Sequence, residues 1–223
     1  MPRLGIITGL ASEARCLTGW PGDCQLNIAC SGADSARATE IAREMAASGC
    51  DGLVSFGLAG GLDPGLRCGD LVLPESVIYS DTVWPVDAEW RKRLLGQLSP
   101  KIRAVGGAIA GSSALVTSPE EKAALRKDTG AMAVDMESHA IAGANLPFIA
   151  VRVIADPYDK AVPDWGAGVI GTDGAVMPTA AAKAIFKNLG SFTRLLGVAV
   201  ENRQAISVLR RVAMLVRGDF GFG

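Results

Sequence analysis

Leu53-Val54-Ser55-Phe56-Gly57-Leu58-Ala59-Gly60-Gly61 follows closely on a segment of helical period, residues 34–48, and this junction decides the fold class. Within 34–48, Ala38, Ile41, Ala42 and Met45 recur at steps of three and four, the spacing of one buried helix face. Gly49 ends that segment. Leu53 to Phe56 is a short apolar run that reads as a buried strand, and Gly57 to Gly61 reads as the glycine turn after it. On the N-terminal side, Leu4 to Thr8 reads as a first strand ending at Gly9. Leu26 to Cys30 reads as a second, with Ser31-Gly32 as its turn. Strand, helix, strand and turn are the parts of a β-α-β unit.

The pattern continues outward. Residues 12–18 read as a helix start with Ser12 as candidate N-cap. Asp70 to Pro74, Ser76 to Tyr79, Ala104 to Ala110, Ala114 to Thr117 and Ala133 to Met136 read as strands, and residues 88–98 as a helix. Ser118-Pro119-Glu120-Glu121 has a capping serine, a first-turn proline and a glutamate at the capping-box position. Glu137 to Ala144 reads as helix, and Phe148 to Ile154 is the most hydrophobic β-branched run, ending at Ala155-Asp156-Pro157. Residues 157–178, rich in Gly, Pro and Asp, predict a long loop or lid, and residues 179–199 and 202–217 two closing helices. Alternating strands and helices without a linker or repeat predict one α/β domain over residues 1–223, a three-layer fold around a mostly parallel mixed sheet.

Composition narrows the function classes. The 223 residues carry a formal net charge of −1, so no global basic field is present to attract nucleic acid. Five cysteines, none in CxxC spacing, and a single histidine support neither a disulfide framework nor a metal site. A reducing cytoplasm fits this usage. The apolar part of the N-terminus is too short for a signal sequence, and no apolar run reaches 18 residues, so neither a leader nor a transmembrane helix is expected.

In open α/β sheets ligands bind beyond the carboxyl ends of strands. Glu13, the Gly57–Gly61 stretch, Asp135-Met136-Glu137 and Asp156 all fall at such ends. Each also has a plain structural role. A glycine cluster makes a tight turn, a lone aspartate caps a loop, and a glutamate at a helix start complements the dipole. The glycines do not form the GxGxxG pattern, which argues against a dinucleotide.

Taken together, Gly5-Ile6-Ile7 through Glu13, Ser31-Gly32, Gly57-Leu58-Ala59-Gly60-Gly61-Leu62 leading to Gly69-Asp70-Leu71-Val72, Val134-Asp135-Met136-Glu137-Ser138 and Pro147 through Asp156 resemble the purine nucleoside phosphorylase and nucleosidase superfamily. The pattern is closest to that of the methylthioadenosine/S-adenosylhomocysteine nucleosidases, over residues 1–160. The resemblance implies cleavage of a purine N-glycosidic bond. Asp156 would be the acid that protonates ring nitrogen N7 of the leaving base, and Glu13 would position and deprotonate the attacking water. Glu137 would hold the ribose hydroxyls, Met136 would pack on the sugar, and Asp135 would stand behind them or cap the strand. Ala59 and Gly60 would let the nucleoside approach the backbone, and Leu115 and Val116 would frame the base. No cofactor is implied, and phosphate enters only as the co-substrate of a phosphorylase. The substrate would be a small purine nucleoside and the assembly a homodimer or larger homo-oligomer.

Phosphorylases of the superfamily commonly place an arginine and a serine around the glycine stretch, where this chain has Phe56 and Leu58. Neither side chain can bind phosphate, which favours water as nucleophile, although Arg15 or Arg37 could supply a phosphate contact. These two apolar residues also predict a greasier site. Phe-Gly-Leu-Ala-Gly-Gly and Val-Asp-Met-Glu-Ser-His are similar to the hopanoid-associated phosphorylase branch, which would imply a lipid-linked adenosine substrate. On the last helix, Ile206, Leu209, Ala213 and Val216 form one apolar face and Arg203, Arg210 and Arg217 a basic one. That helix either packs on the sheet or at a dimer interface, or makes peripheral contact with an anionic membrane. His139 reads as structural. The rival of another class is a nucleoside-binding protein without catalysis, and Glu13, Glu137 and Asp156 together argue against it.

Overall fold

The computed structural model describes residues 1–19, 24–99, 101–162, 174–175, 192–216 and 219–222. Its ten strands form one mixed, mostly parallel sheet. Strands β1 (Arg3–Thr8), β2 (Gln25–Cys30) and β3 (Gly52–Gly61) are mutually parallel, with β1 in the middle and helix α2 (Ser35–Ala47) as the crossover. The β-α-β unit is therefore present as expected. Asp34 caps α2 by accepting from the N–H groups of Ala36 and Arg37, and Gly49 follows with φ of 83°.

Strand β3 is the axis of the sheet. It runs parallel to β10 (Phe148–Asp156) from Leu53 to Gly60, and its last two residues pair antiparallel with β9 (Ala133–Asp135). The remaining strands are β4 (Leu71–Val72), β5 (Ser76–Tyr79), β6 (Thr82–Pro85), β7 (Ala104–Val105) and β8 (Ala108–Gly111). The edge strand β6 was not anticipated.

Alternation along the strands divides the core into layers. Leu4, Ile6, Val54, Phe56, Ile149, Val151 and Val153 face one side, where they meet Cys16 and Leu17, α3 (Ala88–Leu98) and the C-terminal helix α6 (Phe192–Leu215). Ile7, Leu53, Ala59, Phe148 and Ile154 face the other, against α2 and α5 (Ser138–Ala142). A smaller cluster of Leu62, Ala110, Ala131 and Val134 underlies α4 (Pro119–Thr129). Helices on both faces of a mostly parallel sheet make the three-layer α/β fold.

Several local expectations are corrected. Gly57 to Gly61 continue β3 and form no turn, because the ladder to β10 extends through them. Ala114 to Thr117 is not a strand; the chain leaves β8 at Gly111. Ser12 is not the N-cap of α1 (Ala11–Ala14), because Leu10 takes that position and the Glu13 side chain accepts its N–H. Residues 192–215 are one uninterrupted helix. The predicted loop 157–178 and the helix over 179–191 lie largely outside the described residues.

Leu209 and Ala213 of α6, and Val216 just after it, are buried in the core, Arg203 and Arg210 are exposed, and Arg217 lies outside the described residues, so the apolar face packs on the sheet rather than facing a bilayer. The aromatic tail is also turned inward. Phe220 is fully buried with its ring 5.7 Å from Phe56, and its carbonyl accepts from Trp90 Nε1 at 2.8 Å. Phe222 stacks edge-on against Trp90. No helix among the described residues is long and apolar enough to cross a membrane. Because Phe220 closes the core from the C-terminus, Phe220→Ala should cost about 3–5 kcal/mol in equilibrium urea unfolding. A loss below about 1 kcal/mol would show that the tail packs without contributing to the core.

Candidate active site

The sheet register sets Arg152 of β10 opposite Gly57 of β3. Both face the α5 side, where a hydrophobic continuation of the core is expected. A Cβ on Gly57 would lie 2.6 Å from Arg152 Nη1 and 2.7 Å from Glu13 Oε1. Glycine at 57 is therefore required by space, since the guanidinium and a carboxylate close over that backbone position.

Arg152 is fully buried. Its Nε lies 2.5 Å from Asp135 Oδ2, its Nη2 is 3.3 Å from Glu137 Oε2, and its Nη1 donates to the Leu58 carbonyl at 3.2 Å. Nη2 also donates to Ser55 Oγ. Ser138, the first residue of α5, donates its Oγ to Asp135 Oδ2 and its N–H to Asp135 Oδ1 at 3.0 Å. The antiparallel run of β9 brings Asp135 back along β3 toward this point.

Glu13 approaches from α1, the short helix after β1. Its Oε2 accepts the N–H groups of Gly9 and Leu10, each at 2.8 Å, and its Oε1 accepts Leu58 N–H at 2.8 Å. A Cβ on Gly9 would meet Glu137 Oε1 at 2.6 Å, so Glu13 and Glu137 flank the same glycine. Glu13, Asp135 and Glu137 are all buried, and Arg152 is the cation they share.

Three buried carboxyls around one guanidinium cannot all ionise cheaply. Burial drives Glu137 up to about 8, with Arg152 opposing and Asp135 and Glu13 adding to the rise. Burial also raises Glu13, against the pull of Arg152 and of the Leu58, Leu10 and Gly9 N–H groups. Burial disfavours the Arg152 charge, but Asp135, Glu137 and Glu13 outweigh it and raise its basicity.

Asp156 ends β10 at a register shift that takes it out of strand alternation. Its Oδ2 lies 3.0 Å from where a Gly60 Cβ would sit, and 2.6 Å from Lys122 Nζ. A quarter of its side chain is exposed. Gly60 and Leu58, the latter bound to Glu13, are two residues apart on β3, roughly 6–7 Å along a strand. The two candidate catalytic carboxyls therefore reach neighbouring points of one strand.

The other expected residues are placed less uniformly. Ala59 is buried in the core under α5, and Met136 is half-buried between β9 and α5. Leu115 is exposed in the loop after β8, and Val116 packs against the cluster of Leu62, Ala110, Ala131 and Val134. The Phe56 and Leu58 side chains turn to the opposite face, under α6, so the expectation of a greasier site is not met through them. His139 is half-buried and stacks on Tyr79 with ring centroids 4.1 Å apart, the structural role expected of it. The sequence reading gave no role to Arg152, Lys122, Ser55 or Ser138. Arg152 did leave a signal, as a lone charge inside the most apolar strand of the chain.

The sign of the Glu137 shift predicts a pH dependence. A carboxyl raised on folding favours the native state while protonated, and that stability is lost as pH climbs from its ordinary 4.5 toward about 8. In unfolding curves collected across that window, Glu137→Gln should flatten the decline relative to wild type. Parallel pH profiles for the two proteins would show that Glu137 is not the group that takes up the proton.

Comparison with known proteins places this arrangement. Residues 11–185 match the family model of the phosphorylase superfamily. Over 129 residues, 48% of this chain and 57% of the relative, the chain is 30% identical to the 5′-methylthioadenosine/S-adenosylhomocysteine nucleosidase of Staphylococcus aureus strain JH9. The match thus spans little more than half the length of the relative. Among solved structures, the S. pneumoniae nucleosidase with the transition-state inhibitor MT-ImmA superposes with a TM-score of 0.66 at 18% identity, over 96% of this chain and 98% of that one. A mutant of the Helicobacter pylori nucleosidase, which holds 5′-methylthioadenosine in its active site, gives 0.67 at 16% identity, over 84% and 99%. These likenesses show a shared fold. With a family model covering most of its length and the fold to match, the chain belongs to the phosphorylase superfamily.

Proposed function

We propose that this chain hydrolyses the N-glycosidic bond of an adenine nucleoside. Glu13 orders and deprotonates the attacking water, and Asp156 protonates N7 of the departing base. Glu137 holds the ribose hydroxyls. The observation that carries water over phosphate is the occupation of the Gly9, Leu10 and Leu58 N–H groups by the Glu13 carboxylate. Backbone donors of this kind are what an anion would use. Here the protein supplies its own anion. A phosphate would also have to approach Asp135 and Glu137, whose cation Arg152 is already engaged.

The same excess of buried carboxyls suits the reaction. Glu137, protonated up to about pH 8, offers a vicinal diol one donor and one acceptor. The similarity to methylthioadenosine/S-adenosylhomocysteine nucleosidases supports adenine as the base and a thioether at the 5′ position. The resemblance to the hopanoid-associated branch extends the same chemistry to a lipid-tailed adenosine.

The test is adenine release from 5′-methylthioadenosine, adenosine and a lipid-tailed adenosine, with and without phosphate. The expected result is a free sugar product and a rate indifferent to phosphate. Glu13→Gln and Asp156→Asn should each lower kcat by roughly 10²–10⁴-fold. Strict phosphate dependence with a sugar 1-phosphate product would replace hydrolysis by phosphorolysis. Binding without turnover of any substrate would leave a nucleoside-binding protein.

A further inference from the structure

Lys122 lies in the first turn of α4, a helix opened by the Ser118/Glu121 capping box and Pro119. It points inward and is fully buried. Its ammonium has three donors, and three acceptors surround it: Asp156 Oδ2 at 2.6 Å, the Pro157 carbonyl at 2.8 Å and the Lys160 carbonyl at 2.9 Å. The Asp156 carbonyl is a fourth neighbour at 3.4 Å. The chain turns around this ammonium as it leaves β10, tied by Lys160 N–H to the Pro157 carbonyl at 3.0 Å and by Val162 N–H to the Thr117 carbonyl at 2.7 Å.

Burying a lysine is unfavourable, and an apolar residue could fill the same space at less cost. The lysine stands against the carboxyl expected to protonate the departing base. We propose that Lys122 is the positioning residue of that acid. By gripping Oδ2 it fixes the carboxyl at the end of β10, and it stabilises the carboxylate left after proton transfer. This inference rests on the reading of Asp156 as the general acid.

The step balances. The Asp156 proton passes to N7 as the C1′–N bond breaks and its electron pair goes to the base. Asp156 becomes a carboxylate beside Lys122, which keeps all three of its protons, and solvent returns the proton afterwards. Around Asp156, α4 contributes Lys122, the following loop carries Asp159 and Lys160, and β3 contributes the uncharged Gly60. Asp135 and Glu137, at and just beyond the end of β9, pair with Arg152. Among the described residues, Lys122 is thus a cation in direct contact with the Asp156 carboxyl. A neighbouring ammonium favours the ionised carboxyl, so it also decides how high in pH the acid remains loaded.

The experiment follows kcat and KM for 5′-methylthioadenosine across the pH range in Lys122→Met, Lys122→Arg and Asp156→Asn. In Lys122→Met, the alkaline limb of kcat should move upward by about one pH unit or more. Its maximal kcat should fall roughly 10-fold or more, with little change in KM. Lys122→Arg keeps the charge and should leave the limb near its wild-type position. An unmoved limb in Lys122→Met, with kcat and KM changed together, would reduce Lys122 to a structural role. Full activity in Asp156→Asn would instead remove the acid itself, and this inference with it. Should Lys122→Met fail to fold, the ¹⁵Nζ resonance of Lys122 in wild-type protein should titrate with the midpoint of the alkaline limb of kcat. A resonance that stays constant through that limb overturns the proposal.

Discussion

The structure depends on the ion pairing of Arg152 with Asp135 and Glu137 in the interior of the sheet. A guanidinium without water needs its donors matched, and here the partners come from β3, β9, Glu137 just beyond β9, and α5. Removing one partner from such a network typically costs about 3–5 kcal/mol, because a charge is left buried alone. The cluster therefore ties β10 to β9 and α5.

Space for this network is taken from the backbone of β3. Gly57 yields to Arg152 and Glu13, and Gly60 to Asp156. Glycine weakens a strand by its entropy and its missing side chain. Phe56, on the same strand, offsets this by packing on Phe220 on the other face. One strand thus has an apolar face carrying Phe56 and an opposite face bared at Gly57, where Arg152 and Glu13 converge. Burial raises both Glu137 and Glu13, and at Glu137 the neighbouring Asp135 and Glu13 add to the rise.

Much of the frame was legible locally. The helical period of 34–48, the capping box at Ser118 and the apolar run from Phe148 each encode an element through neighbours a few residues away. The glycines of 57–61 were visible but misread as a turn, since a glycine admitted for bending and one admitted for close approach look alike in sequence. The C-terminal aromatics were equally ambiguous. Their burial depends on Trp90, some 130 positions away.

The carboxyl groups were recognised by type and by their place at strand ends, but their partners were not. Sequence by itself determined an α/β frame with Glu13, Asp135, Glu137 and Asp156 at or near the ends of strands, because these are set by short-range periodicity. Only the tertiary structure decided that Arg152 gathers three of those acids, that Lys122 grips the fourth across 34 positions, and that Glu13 fills its own backbone anion site. An ion pair is fixed by distance in space, and no local period records which distant charge will arrive there.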